Sequence, residues 1–255
     1  MKKFTNVNEI EQWLYEHNIK KYSINDKLIV DVDNDVVLEK HDISYFPFQF
    51  GIIDGVFDCS HNELSSLWGS PKIVKYGFNC SYNNLKSLEF GPEMVNGIYD
   101  AHNNKIENLQ FLPQKFESLN LKNNKLTSLK GLPDTIEGFL DVANNELVKF
   151  DASTKTINGF FDCARNKFYT LENFPNVKEI LIIVNNSFTN DEIFKLKSSF
   201  STLYVESIYF EDIAEKSNIT LDMVNGEALI PHHSFKVFLL QNNLPFKNSK
   251  NHLKI

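Results

Sequence analysis

Apolar and polar positions along this chain recur with a period of 20 to 21 residues, and each period holds one short stretch of strict alternation. An asparagine marks the period. It stands at Asn62, Asn83, Asn104, Asn124, Asn145, Asn166 and Asn186, with spacings of 21, 21, 20, 21, 21 and 20. Five places before it the chain reads Val36, Phe57, Phe78, Tyr99, Leu119, Leu140, Phe161 and Leu181. Three places before, it reads Leu38, Cys59, Cys80, Ala101, Leu121, Val142, Cys163 and Ile183; two after, Ile43, Leu64, Leu85, Ile106, Leu126, Leu147, Phe168 and Phe188. His41 fills the asparagine slot of a degenerate first turn. Alternation of period two predicts a strand with every second side chain pointing inward. One period cannot bury its own apolar face, so neighbours must stack as parallel strands about 4.8 Å apart. The asparagine is placed at a turn, where its amide satisfies backbone groups that would otherwise be buried unpaired. A period this short leaves little room for a full helix, which predicts extended or 3-10 segments on the return leg. Pro71, Pro92, Pro113, Pro133 and Pro175 close five of the turns.

Phe57-Asp58-Cys59-Ser60-His61-Asn62-Glu63-Leu64 recurs as Phe78-Asn79-Cys80-Ser81-Tyr82-Asn83-Asn84-Leu85 and as Phe161-Asp162-Cys163-Ala164-Arg165-Asn166-Lys167-Phe168. Two of these continue as Leu64-Ser65-Ser66-Leu67-Trp68-Gly69-Ser70-Pro71 and Leu85-Lys86-Ser87-Leu88-Glu89-Phe90-Gly91-Pro92. On these residues, and over positions 35–190, the chain resembles the leucine-rich repeat family in its short bacterial and phage-encoded form. The resemblance implies an α/β fold by convention: a solenoid with parallel strands on a concave face and a mostly extended or 3-10 convex side. It also implies a non-enzymatic protein–protein interaction scaffold that binds a protein partner through the concave face. In a phage, such a protein would modulate a host protein. The alternative is a structural virion or assembly component that associates with itself.

The two ends lie outside the repeat. Residues 1–34 read as an N-terminal cap. Asn6, with Glu9 three residues on, is placed to cap a helix whose Ile10, Trp13, Leu14 and His17 share a face. Leu28–Val32 and Val36–Leu38 flank Asp33-Asn34-Asp35 as a hairpin would. Residues 191–255 read as a mixed helical C-terminal cap or small appendage. Helical stretches are expected from Asn190 to Lys197, over 206–216, and after Pro231 with Phe235, Phe238 and Leu239 on one face; the last eight residues are polar and expected to fray.

Composition narrows the function. Of the 26 basic residues only Arg165 is an arginine, the net charge is −7, and no basic patch stands out, which argues against nucleic acid. No run of eighteen apolar residues suggests a membrane span, and no apolar segment follows Met1-Lys2-Lys3 as in a signal peptide. The expected place is the cytoplasm, of the host cell if the chain is phage-encoded, and the expected state a monomer. Abundant Phe, Asn, Lys and Ile fit an AT-rich genome. Cys59, Cys80 and Cys163 share an inward slot and read as small buried hydrophobes.

Neither cofactor nor metal is expected. Asp31-Val32-Asp33-Asn34-Asp35 invites a calcium-loop reading with Asp42 in twelfth place, but Val36 stands where that loop needs glycine. His232-His233 lacks a matching ligand spacing. No G-x-G, phosphate loop or G-x-S-x-G elbow occurs, and the tail has no cysteine for thiol chemistry.

The outward strand positions carry the candidate chemistry. Four before each anchor stand Asp58, Asn79, Asp100, Asn120, Asp141 and Asp162; six before stand Val56, Gly77, Ile98, Ser118, Phe139, Phe160 and Ile180. Stacked strands make each set a row. Asp141 and Asp162 become neighbours, as do Phe139 and Phe160. Exposed aromatics are typical anchors for a protein, and paired carboxylates favour a basic or amide-rich one. Asp100, Phe139, Asp141, Phe160, Asp162 and Arg165 are the expected partner-binding residues; a solvated polar face is the plainer reading of the acidic row.

Overall fold

In the computed structural model the chain is described at residues 2–189 and 192, and as strand backbone at 202–205, 222–224 and 227–231. Helix α1 (Val7–Glu16) opens the fold. Its N-cap is Asn6, whose Oδ1 accepts the Glu9 N–H at 3.0 Å, while the Glu9 carboxylate accepts the Thr5 N–H at 3.0 Å. One orphan donor of the helix is thus satisfied, and the residue before the cap is tied to its first turn. Ile10 and Leu14 are buried in the common core, and Trp13 packs edge-on against Phe48 and Phe50.

The first hairpin joins β1 (Tyr22–Ile24) to β2 (Ile29–Val32), one element earlier than the sequence suggests. β3 (Val36–Val37) instead pairs in parallel with β5 (Phe57–Asp58). Val36 and Leu38 occupy inward repeat slots, and their N–H groups donate to Val56 and Asp58 of the following turn, so stacking wins over a local hairpin.

Each turn has two legs. On the main leg, β3 and β5 are followed by β7 (Phe78–Asn79), β9 (Ile98–Asp100), β10 (Ser118–Asn120), β12 (Leu140–Asp141), β14 (Phe161–Asp162) and β16 (Ile180–Ile182), parallel and in register. β17 (Thr202–Val205) continues that ladder, and an antiparallel pair, β19 (Glu227–Pro231) then β18 (Asp222–Val224), ends the 11-stranded sheet. Pro231 therefore closes a strand, paired with Thr202, where a helix start was expected. The expected helical stretches at 190–197 and 206–216, the one after Pro231, and the frayed last residues lie outside the described residues, Glu192 and Pro231 themselves apart.

The return leg is extended, with no 3-10 helix among the described residues, and carries short parallel strands of its own. β2 pairs with β4 (Gln49–Ile53), then β6 (Ile73–Val74) and β8 (Met94–Val95); β11 (Thr135–Ile136), β13 (Thr156–Ile157) and β15 (Asn176–Val177) form a separate group. The break falls in the 20-residue turn between Asn104 and Asn124. The corner from Phe116 to Leu119 is one residue shorter there, and only a bridge between Met94 and Lys115 remains.

Between the legs runs one apolar core. Phe57, Phe78, Tyr99, Leu119, Leu140, Phe161 and Leu181 are all buried, with Phe57 stacked on Phe78 at 5.8 Å. Cys59, Cys80 and Cys163 are buried and unbridged, and burial pushes their thiols up. The anchors behave as expected. Asn83 Nδ2 lies 3.0, 3.1 and 3.1 Å from the carbonyls of Cys59, Cys80 and Ser81, and its Oδ1 accepts the Leu64 N–H at 2.8 Å. One amide thereby ties its own turn to the one before. His41 is exposed and cannot repeat this, which is why the first turn is degenerate.

Asp31 and Asp35, the residues that suggested a calcium loop, accept the N–H groups of Ile52 and Val56 one turn on. They act as backbone acceptors between turns.

Candidate interaction face

Alternation along the main-leg strands sets two rows on the outward face of the long sheet. The row four before the anchor has a local job. Asp58, Asn79, Asp100, Asn120, Asp141 and Asp162 each use Oδ1 to accept the N–H two residues on, at 2.8, 3.1, 3.1, 3.2, 2.9 and 2.9 Å. Asp and Asn serve equally here, since both present that oxygen. The acidic row is therefore partly a turn device, a role distinct from both a docking strip and a solvated polar face.

Charge along this row alternates. Asn79 Nδ2 donates to Asp58 Oδ2 at 3.1 Å, and Asn120 Nδ2 donates to Asp100 Oδ2 at 3.2 Å. Asp100 also holds the His102 imidazole at 2.6 Å. Alternation fails once, where Asp141 and Asp162 face each other as paired residues of β12 and β14. Burial of the Asp141 carboxyl raises its pKa, and the Asp100 charge adds to this; the Ala143 N–H, the Lys122 charge and His102 act in the opposite direction. An acid whose folded pKa lies above its unfolded value binds more protons when folded. Its unfavourable contribution is absent below the unfolded pKa and develops as pH rises through the folded one. Asp141→Asn should therefore raise the melting temperature at pH 7, with a gain that shrinks as pH falls into the carboxylate range. A gain that does not change with pH in thermal melts would refute this.

Two residues before each of these carboxylates, the Phe139 and Phe160 rings stack with centroids 4.6 Å apart and planes within 4°. Both are half-buried. The spacing matches that of adjacent strands, so the stack is a direct product of the register. Phe139, Asp141, Phe160 and Asp162 thus form one contiguous patch. Arg165, three residues after Asp162, is exposed beside the anchor Asn166 rather than in either row. Asp100 lies two strands from Asp141, across Asn120.

One feature of this edge escaped the sequence reading. The residue before each anchor slot, from Lys40 through His61, Tyr82, Asn103, Asn123, Asn144 and Arg165 to Asn185, has φ between 51° and 59°. Asparagine tolerates this left-handed geometry; lysine, tyrosine and arginine do so at greater cost. Asn123 Nδ2 donates to Asn103 Oδ1 at 2.8 Å and Asn144 Nδ2 to Asn123 Oδ1 at 2.7 Å, a ladder of amides along the turn. The run of asparagines is the signal that could have revealed it. Further along, His61 stacks on Tyr82 at 4.1 Å and Tyr82 meets His102 edge-on at 4.9 Å.

Among the described residues no cluster of three or more His, Cys, Asp or Glu is placed to hold a metal, and no helix is long and apolar enough to cross a membrane. No family model matches the chain, and no curated protein matches it. Among solved structures the chain is similar to that of a Shigella effector leucine-rich-repeat domain, at 20% identity and a TM-score of 0.48, over 62% of this chain and 72% of the other. The parallel ladder, the 20–21-residue period and the asparagines buried in successive turns from Asn62 to Asn166 make this fold a solenoid of stacked parallel strands, the architecture that the leucine-rich-repeat resemblance implies.

Proposed function

We propose that this protein is a non-enzymatic interaction scaffold that holds a protein partner against the outward face of its long sheet, the face taken as concave from the sequence. It acts in the cytoplasm, that of the host if the chain is phage-encoded, as a monomer that modulates its partner. The observation that carries this reading is the stacked Phe139–Phe160 pair, half-exposed on a regular sheet face and bordered by Asp141 and Asp162. Aromatic groups held rigid by their backbone lose little entropy on binding and bury much area, the usual profile of an anchor at a protein interface.

The test is affinity capture from host lysate with mass spectrometry, the wild-type chain beside Phe160→Ala/Asp162→Asn. A protein retained by the wild type and lost with the variant supports the reading, provided the two melt at similar temperatures. A partner retained by both places the docking surface elsewhere. Sedimentation of the purified chain as a multimer at micromolar concentration would turn the reading toward a self-assembling structural component.

A further inference from the structure

Gly77 lacks the reason that the other glycines beside the main leg have. Gly55, Gly97, Gly138 and Gly159 stand at corners where a Cβ would lie 2.8 Å or less from an atom of the preceding turn. At Gly77 a Cβ would meet only the Ile98 carbonyl oxygen, at an ordinary 3.7 Å. Its φ is not positive. No bulge interrupts the ladder there: Phe78, the next residue, pairs with Phe57 on one side and Tyr99 on the other, and the Gly77 carbonyl accepts the Phe57 N–H at 2.9 Å. Glycine weakens a strand, and where neither bulge nor bend explains it, the close approach of a ligand or of another backbone does.

The absent side chain leaves a notch in the row that also holds Phe139 and Phe160. Register sets Gly77 between Val56 and Ile98, which are 37% and 45% exposed and form its two walls. The walls stand on strands roughly 9.6 Å apart, twice the strand spacing. The floor carries an unpaired donor. At this place in the row a backbone N–H reaches for the side chain one turn before: Val56 N–H donates to Asp35 Oδ1 at 2.7 Å, and Phe139 N–H to Ser118 Oγ at 3.1 Å. The side chain one turn before Gly77 is that of Val56, which has no acceptor, and the Gly77 N–H has no partner among the described residues.

The surroundings select the acceptor. Two carboxylates, Asp58 and Asp100, stand on the flanking strands on the same face and disfavour an anion. The walls are aliphatic. A neutral oxygen carried on an apolar body fits, and a peptide carbonyl is that group. Gly77 lies three strands from Phe139, about 14 Å, which about four extended residues span. Resting on the docking reading above, we propose that the notch over Gly77, between Val56 and Ile98, is where the backbone of an extended partner segment crosses the sheet, with a neutral peptide carbonyl accepting the Gly77 N–H.

The probe is acetyl-Ala-Leu-Ala-Leu-Ala-amide, titrated into the full 15N-labelled chain and followed by the backbone amide signals. Acetyl-Ala-Glu-Ala-Glu-Ala-amide has the same backbone with negative charge and is the control. The neutral peptide should move the Gly77 amide proton downfield, saturably in the millimolar range, with the acidic one at least tenfold weaker. Gly77→Val fills the notch with the residue that Val56 already places one turn before. It should weaken the neutral peptide at least tenfold, read on the Val56 and Ile98 amides, at an unchanged melting temperature. Gly77→Ala, which adds one carbon into open space, should weaken it about threefold and serves if the valine variant melts early. No saturable shift at Gly77, equal binding of the acidic peptide, or unaltered affinity in the variants overturns the proposal. If a lysate partner depends on Phe160 while the neutral peptide fails at Gly77, the notch falls and the docking reading stands. If the peptide binds as described and no Phe160-dependent partner is found, the reverse holds.

Discussion

Asn104→Ala should cost about 4 kcal/mol of stability, read as a fall in the denaturation midpoint at constant slope. Asn104 Oδ1 accepts the Leu85 N–H at 2.9 Å, and Nδ2 serves the carbonyls of Cys80 and Ala101 at 3.0 and 3.2 Å. All of these sit among buried residues, so truncation leaves the Leu85 N–H without a partner, while the Cys80 and Ala101 carbonyls each lose one amide donor and keep another, Asn83 Nδ2 and Asn124 Nδ2. The unpaired N–H costs about 1–3 kcal/mol and each lost bond about 1 kcal/mol. The bonds to Leu85 and Cys80 also cross from one turn to its neighbour, where a solenoid gains its stability. Lys105→Ala, one residue on and exposed, is the control and should fall within about 0.5 kcal/mol of wild type. A loss below 1 kcal/mol for Asn104→Ala would show that the backbone finds other partners and that the anchor is dispensable.

Gly97→Ala should cost about 3 kcal/mol, at the upper end of what overpacking does. A Cβ on Gly97 would lie 2.5 Å from the Tyr76 carbonyl oxygen and 3.2 Å from its carbon. Both are backbone atoms, so relief requires the turns to separate, and the Asn96 N–H to Val74 carbonyl bond at 3.1 Å resists that. Gly77 supplies the contrast. A Cβ there meets only the Ile98 carbonyl at an ordinary 3.7 Å, and Gly77→Ala should be neutral or stabilising by about 0.5 kcal/mol through the unfolded chain. Equal losses at the two positions in paired chemical denaturation would show that corner flexibility, rather than close approach, explains both glycines.

The anchor spacing was enough to place the main leg, because a period of two inside a period of 21 leaves a single register. Phe139 beside Phe160 and Asp141 beside Asp162 were legible for that reason. So was the burial of Cys59, Cys80 and Cys163. The return strands were not, since two residues such as Ile73–Val74 are too few to show alternation. The hairpin was misplaced because Val36 and Leu38 suit a local strand as well as a repeat slot; what decides is the bond from Val36 N–H to the Val56 carbonyl, twenty residues away. Pro231 is tolerated at a helix start and at a strand end alike, and its neighbours in sequence did not separate the two. The second function of the acidic row, capping the N–H two residues on, was hidden because Asp and Asn do it interchangeably. Only the strand pairing shows that their order along the sheet matters.

The alternation of Asp58, Asn79, Asp100 and Asn120 makes the electrostatic repeat of this protein two turns long, 42 residues from Asp58 to Asp100, while its structural repeat is one. A chain of this kind that gains a single copy of its 21-residue unit within this stretch must set two carboxylates, or two amides, against each other. One that gains a tandem pair keeps every carboxylate beside an amide. Growth by duplication is therefore unequal in its consequences: even steps leave every carboxylate with an amide donor beside it, and an odd step that pairs two carboxylates leaves a repulsion that something outside the chain is better placed to relieve. Asp141 beside Asp162 is what an odd step looks like, and it falls next to the two rings on this face best suited to hold a visitor.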